Sequence, residues 1–336
     1  MVKYILKRLF ISIIILLGVS LIIYTLVRLM PNDFVDQKFQ AQLQQNTITQ
    51  EDIDRFKSLY GIDDNSGKGI IKGYFKWLGN MLKGDLGVSF KYNKPVKTVI
   101  KENMLISFMI ALIATILQFA ISIPLGIQSA THQYSAMDYL VTFFTMVGIS
   151  LPTYFFAAIC IKIFSVDLNI LPANGLIYAS ASYPSTFVGG LQKLGDICSH
   201  LVLPIFVSVV LSIGGLMRYT RTNTLEVLNA DYIRTARAKG LPEKKVIYKH
   251  VFRNTLIPLA TLLAGILPGL FGGMMITEQV FGIPGIGNLA YQALMACDIP
   301  FVMGYNMFLA VLTIIGTLLS DIMYSIVDPR VKLSGR

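Results

Sequence analysis

Glu226-Val-Leu-Asn-Ala-Asp-Tyr-Ile-Arg-Thr-Ala-Arg-Ala-Lys-Gly240, continued by Leu241-Pro-Glu-Lys-Lys-Val-Ile-Tyr-Lys-His-Val-Phe-Arg253, is a basic, polar hairpin between two apolar runs. Val227, Ala230, Ile233, Ala236 (or Arg237) and Leu241 recur at helical spacing, so its first half reads as a short helix. Gly240 suits the C-terminus of that helix, and Leu241-Pro242-Glu243 opens a second one with proline in its first turn. The second helix, Lys244 to Phe252, feeds directly into the next apolar run. The shape is a lever: a short helix lying across a membrane face and rigidly joined to a span. Small side chains at Ala230, Ala236 and Ala238 would let a partner surface approach closely. A second reading stays open, in which the basic side chains bind anionic headgroups at about 1 kcal/mol each.

Around the hairpin the chain is mostly apolar. Of its 336 residues, 54% are hydrophobic and 14% charged. Soluble domains carry about 25% charged residues, so the shortfall indicates a membrane protein. The net charge of +10 would also suit a nucleic-acid binder. No RNA or DNA motif frames the basic residues, however, and many flank apolar runs. Cys160, Cys198 and Cys297 form no CxxC pair and no metal-like Cys/His spacing. Pairing of Cys198 with Cys297 is open if both face outward.

Six spans are expected, at roughly 9–30, 103–130, 137–163, 201–219, 256–278 and 301–327. The first run is about 20 residues long, enough to cross a bilayer. It ends in Pro31-Asn32-Asp33 rather than at a small-residue cleavage site, so it reads as a retained helix with Arg28 snorkelling at its outer end. Pro124, Pro152, Pro204, Gly214-Gly215, Pro258, Pro268 and Gly272-Gly273 interrupt the other runs. Such breakers fit kinks and close packing, or substrate contact.

Basic residues gather in three regions: Lys3, Lys7 and Arg8, then Arg218 to Arg253, then Arg330, Lys332 and Arg336. Six spans put all three on one face, which the positive-inside rule makes cytoplasmic, with both termini there. The expected fold class is an all-α membrane protein of six transmembrane helices. Residues 1–30 form the first helix, 31–102 an extracytoplasmic segment, 103–328 a core with a coupling loop over 220–255, and 329–336 a cytoplasmic tail. In the outer segment, Asp52–Tyr60 has helical spacing, with Thr49 and Asp52 placed to cap it. Ile70–Leu82 reads as a second helix, and Gly84-Asp-Leu-Gly87 turns the chain. This segment is an ordinary loop, or else a docking or gating element.

No catalytic set is present. His132, His200 and His250 lack metal-ligand spacing, and no GxxxxGK[ST], GxSxG or HExxH occurs. Lys162, Glu278 and Asp321 lie near the ends of spans. Sparse intramembrane acids argue against a proton- or sodium-coupled carrier. Gln118, Asn306 and Thr313 are candidates for a polar pathway.

The hairpin resembles the coupling loop of the permease subunits of bacterial ABC importers. Their pattern is Glu-Ala-Ala, three residues, Gly, nine residues, then Ile-x-Leu-Pro. Gly240 takes the Gly place and Ala236 the second Ala, while Arg234 stands for the Glu and Phe252-Arg253 for Leu-Pro. These departures are similar to the peptide/nickel branch, as is Arg253-Asn-x-Leu-Ile-Pro258. The resemblance runs through the whole chain. Tyr4-Ile-Leu-Lys-Arg-Leu9, Leu17-Gly-Val-Ser20 and Arg28-Leu-Met-Pro31 resemble the B-type subunit of dipeptide and oligopeptide permeases. So do Trp77-Leu-Gly79, Lys83-Gly-Asp-Leu-Gly-Val-Ser89, Thr277-Glu-Gln-Val-Phe-Gly-Ile-Pro-Gly-Ile-Gly287 and Asp298-Ile-Pro300.

That resemblance implies a membrane-embedded, four-part core: this chain, a second and different permease subunit, and two ATPase subunits. It also implies an extracytoplasmic binding protein that delivers short peptides. ATP and Mg would be held by the ATPases and no cofactor by this chain, which would not itself be an enzyme. The location implied is the bacterial cytoplasmic membrane. Ala230, Asp231, Tyr232, Arg234, Ala236, Arg237, Lys239, Gly240 and Leu241 would occupy the ATPase groove. Arg237 is also readable as solvated, and Asp231 as capping or pairing locally. Glu278, Phe281, Pro284, Gly285 and Gly287 would form an outer gate or dock, or simply a re-entrant packing loop. Nickel complexes, metallophores, glutathione and haem are the other cargoes of this branch. A secondary carrier or channel, and a non-transporting scaffold, are the readings outside it.

Overall fold

The apolar runs fold as helices because a chain in lipid must satisfy its backbone within itself. The computed structural model describes residues 2–28, 49, 51, 67–178, 181–260, 262–296 and 298–327. The expected helix over 52–60, the end of the first span beyond Arg28, and the tail 329–336 lie outside the described residues. So does Cys297; Cys160 and Cys198 are free thiols.

The elements in order are α1 (Val2–Arg28), α2 (Gly67–Leu82), β1 (Val88–Ser89), β2 (Lys94–Pro95), α3 (Val96–Thr131), α4 (Ala136–Ser150) and α5 (Thr153–Cys160). A π-helical turn extends α5 to Asp167. Then come α6 (Phe187–Leu228), α7 (Asp231–Ala238), α8 (Glu243–Lys245), a second π-helical stretch over Val246–Val251, and α9 (Phe252–Ala260). The chain closes with α10 (Leu263–Gly272), α11 (Met275–Val280), α12 (Ile286–Met295) and α13 (Ile299–Val327).

Among the described residues four helices are long and apolar enough to cross a membrane: α1, α3, α6 and α13. A fifth crossing is available if α4 and α5 count as one broken span. Three expectations need correction. The run 137–163 is not one helix, because Pro152 caps a new one and the two halves bend by 105°. The run 256–278 is built from α9, α10 and α11, interrupted at Leu262 and at Gly273. The helix expected from Asn103 starts seven residues earlier, at Val96, and is preceded by a two-stranded antiparallel ribbon with Val88 opposite Pro95.

The centre of the fold is the α3–α6 pair. A Cβ on Gly126 would lie 2.8 Å from the Met217 carbonyl, so only glycine permits this approach. Gln118 Nε2 donates to Ser212 O at 3.0 Å across the seam, and Ser122 Oγ to Ile213 O at 3.2 Å. Gln118 thus helps to hold the bundle together, while the exposed Asn306 and Thr313 hydrogen-bond within α13. α4 packs on α6 at Gly214, where a Cβ would meet Thr145 O at 2.8 Å; Gly215 beside it faces open space. Arg8 of α1 lies 3.2 Å from Asp321 of α13, which places the start of one beside the end of the other.

Candidate functional site

α7 is an eight-residue helix with a polar outside and a small apolar inside. Ile233 and Ala236 are buried against Val246 and Val251, with Val227, Leu228 and Leu241 around them. Its end is a Schellman turn. Gly240 N–H donates to Arg237 O at 2.9 Å and Leu241 N–H to Ala236 O at 3.4 Å. Gly240 has φ +75°, and its Cα faces open space. The helical stretch 243–260 then runs on without a break from the turn. The short helix, glycine turn and second helix read from the sequence are therefore present.

Ala236 is the exception to that reading. It points into the lever's own core, so it offers no surface to a partner. Asp231, Tyr232, Arg234, Arg237, Lys239 and Gly240 are exposed, whereas Ala230 and Leu241 are half-buried. Arg237 grips Glu243 with two hydrogen bonds, of 2.7 and 3.2 Å. That bond holds the Glu243 carboxyl below its ordinary range, and the guanidinium is raised for the same reason. Arg234 lies 3.6 Å from Asp231 on the same face. Pairing within the helix thus accounts for Asp231, and pairing across the turn for Arg237. A cavity of about 620 Å³ separates the end of α3 from this lever, between Ile127, Gln128 and His132 on one side and Lys244, Tyr248 and Phe252 on the other.

A buried clamp joins the lever's root to the bundle. Arg221 of α6 donates from Nε and Nη2 to the two Asp138 oxygens at 2.8 and 2.9 Å, and from Nε to Ser129 Oγ at 3.0 Å. Ser129 Oγ and the Tyr134 N–H also donate to Asp138. The clamp ties α3, α4 and α6 together about two turns before the end of α6. Sequence reasoning counted Arg221 only as a topology charge and passed over Asp138. The signal was Ser135-Ala-Met-Asp138, a Ser-x-x-Asp cap. Asp138 N–H does bond to Ser135 Oγ, at 3.2 Å.

At the other end, the glycine-rich loop after α11 is folded inward. Glu278 is buried, and its carboxylate accepts from Met274 N–H at 3.1 Å and Asn288 N–H at 2.9 Å. Ser107 Oγ of α3 accepts from Ile286 N–H at 2.8 Å. These are unpaired donors at the first turns of α11 and α12, where a negative charge is also favoured by the helix dipoles. Gly285 and Gly287 are required because a Cβ on either would strike the Glu278 carboxylate or the Met275 backbone. Phe281 is buried too, while Pro284 is exposed. Of the five residues expected at a gate or dock, Pro284 alone presents a surface.

Two motifs far apart in sequence meet beside this loop. Ser89 Oγ and Lys91 N–H of the ribbon donate to Asp298 Oδ2, and Phe301 N–H donates to Oδ1 at 3.2 Å. Burial pushes the Asp298 carboxyl above its ordinary value. Lys91 Nζ donates to Gln292 Oε1 at 3.0 Å and Tyr92 OH to Leu289 O at 2.9 Å.

A helical, multi-pass membrane protein with a lever at one face and a stapled cap at the other is the frame of a transport permease subunit. The chain belongs to the family described as "Binding-protein-dependent transport system inner membrane component", which it matches over residues 122–333. It is 37% identical to the oligopeptide transport system permease protein AppB of Bacillus subtilis, covering 99% of this chain and 100% of the other. It is 32% identical to the dipeptide transport system permease protein DppB of Lactococcus lactis, again over 99% and 100% of the two chains. A putative peptide permease protein of Brucella suis is also 32% identical at the same coverage.

Proposed function

We propose that this chain is one of two different permease subunits of an ATP-driven importer of short peptides. Two ATPase subunits would bind on the lever face, and an extracytoplasmic binding protein would deliver the peptide on the other. The relatives named for oligopeptide and dipeptide transport support the substrate class. The polypeptide would cross six times, with the broken α9–α10 stretch as the fifth crossing and both termini beside the lever. The Arg8–Asp321 contact supports the two termini lying on one side together. ATP and Mg would be bound by the partner ATPases, this chain being a conduit rather than an enzyme.

The observation that carries the proposal is the continuous helical path from the exposed face of α7, around Gly240, into α9. Pushing on Tyr232, Arg234 or Lys239 would move α9 directly, because Ile233 and Ala236 lock α7 to residues 246–251. Gly240→Pro tests this. Proline fixes φ near −65°, opposite in sign to the observed value, and removes the N–H bonded to Arg237 O. The reconstituted four-part complex should still assemble and hydrolyse ATP, yet lose uptake. Uptake at the normal rate would refute the lever. Persistence of uptake on a proton gradient without the ATPases would favour a secondary carrier. A ligand-dependent thermal shift of the binding protein decides between peptides and nickel complexes.

A further inference from the structure

We propose that α2 is an in-plane membrane helix. Its Ile71, Phe75 and Leu82 enter the hydrocarbon of the leaflet remote from the lever, and its Lys72 and Lys76, with Lys83 just past its end, hold lipid phosphates there.

At about 100° per residue the side chains of α2 fall into three arcs. Tyr74, Trp77, Leu78 and Met81 face inward onto Tyr24, Phe90, Ile299, Met303 and Met307. Beside that arc, Ile71, Phe75 and Leu82 are 61, 64 and 76% exposed. The next arc holds Lys72 and Lys76, both exposed, and the exposed Lys83 follows one residue past the helix. In water, leaving three such apolar side chains uncovered forgoes about 1.5–3 kcal/mol each. In-plane membrane helices show this division, with an apolar face in the acyl boundary and lysines snorkelling to the phosphates.

Depth supports the same assignment from two helices independently. The Tyr74 hydroxyl shares a 2.7 Å hydrogen bond with Ser20 Oγ and donates to Leu17 O at 3.3 Å. α1 continues to Arg28, so Ser20 sits about 12 Å inside that end at 1.5 Å per residue. In α13, whose apolar stretch begins at Ile299, Met303 and Met307 lie about 6 and 12 Å inside. Both helices therefore hold α2 beside the half of the hydrocarbon layer remote from the lever. The side is fixed by α3, which runs from the ribbon at Val96 to the lever cavity at Thr131. Charge argues for lipid over a protein cover: the core of a protein interface is depleted in lysine, whereas anionic headgroups attract it. The inference needs α1 and α13 to span the membrane, and nothing about cargo or ATPase.

The test uses the assembled transporter in phosphatidylcholine nanodiscs containing phosphatidylglycerol, with Cys160, Cys198 and Cys297 replaced by alanine. Spin labels are placed singly at Ile71→Cys, Phe75→Cys, Leu82→Cys, Lys72→Cys and Lys76→Cys. The first three should collide with oxygen and be shielded from a water-soluble nickel chelate, and the two lysine positions should show the reverse. Equal nickel access at all five would place the apolar face in water and overturn the proposal. Exclusion of both relaxants at 71, 75 and 82 would place it under protein and overturn it equally. With a fluorophore at Phe75→Cys, nitroxide phosphatidylglycerol should quench more than nitroxide phosphatidylcholine. Lys72→Gln or Lys76→Gln should cut that preference by about fivefold. An unchanged preference would remove the lysines' role.

Discussion

Arg221→Ala removes the one cation in the buried clamp below the lever. Asp138, whose side chain is 4% exposed, would keep only the Ser129 hydroxyl and the Tyr134 N–H as donors. Removing one partner of a buried ion pair costs about 3–5 kcal/mol, and the two surviving donors put this case near the low end. The converse change is milder. Asp138→Ala leaves Arg221, which is 25% exposed and reaches water, so about 2 kcal/mol is expected. The double variant strands no charge, so it should cost about 2 kcal/mol less than the two singles added together. The assay is reversible unfolding in mixed dodecyl sulfate and maltoside micelles, followed by helical circular dichroism, with all four members of the cycle. Additivity within about 0.5 kcal/mol, or a loss under about 1 kcal/mol for Arg221→Ala, would refute the reasoning. Either would mean that the clamp is solvated and that Asp138 is not dependent on Arg221.

Three further outcomes are expected. Gly214→Val drives a side chain into the Thr145 carbonyl, so it should destabilise by about 1–3 kcal/mol in the same titration; Gly215→Val, facing open space, should fall within about 0.5 kcal/mol of the parent. Glu278→Ala leaves the Met274 and Asn288 N–H groups without their acceptor, at about 1–3 kcal/mol each, and Glu278→Gln, which keeps one acceptor oxygen, should lose less; thermal unfolding ranks the two. Because burial raises the Asp298 carboxyl, the unfolded chain gives up its proton first as pH rises. Stability should therefore fall from the ordinary value of 3.8 up through the raised folded value, and then level off. Asp298→Asn should flatten that part of the melting-temperature profile, and an unchanged slope would count against the buried carboxyl as its source.

Some of this was open to inspection before any coordinates. The lever was legible because its signals are local: helical spacing from Val227 to Leu241, a glycine able to take positive φ, and a proline at the next first turn. α2 was legible for the same reason. Pro152 was visible as a breaker, but whether it kinks a span or folds it back by 105° depends on what α4 and α6 make of Gly148, Thr145 and Gly214. The run 256–278 looked like one span because composition records apolarity and not continuity. A Cβ at Gly273 would strike the Gly287 backbone, a close approach that no local pattern encodes.

By itself, then, the sequence determined that the chain is a helical membrane protein of the peptide-permease type, where its polar hairpin lies, and where along the chain its basic residues cluster. Those properties follow from hydropathy, periodicity and local backbone chemistry, which act over a few neighbouring residues. Tertiary structure alone decided that Ala236 faces inward, that Glu278 staples two helix starts, and that Ser89 meets Asp298 and Arg221 meets Asp138. The Ser89–Asp298 and Arg221–Asp138 contacts are pairings of polar groups across long stretches of chain. A buried donor or charge takes whatever partner the packing brings within 3 Å, and the packing is set by the close approach of α3, α4 and α6 at Gly126 and Gly214.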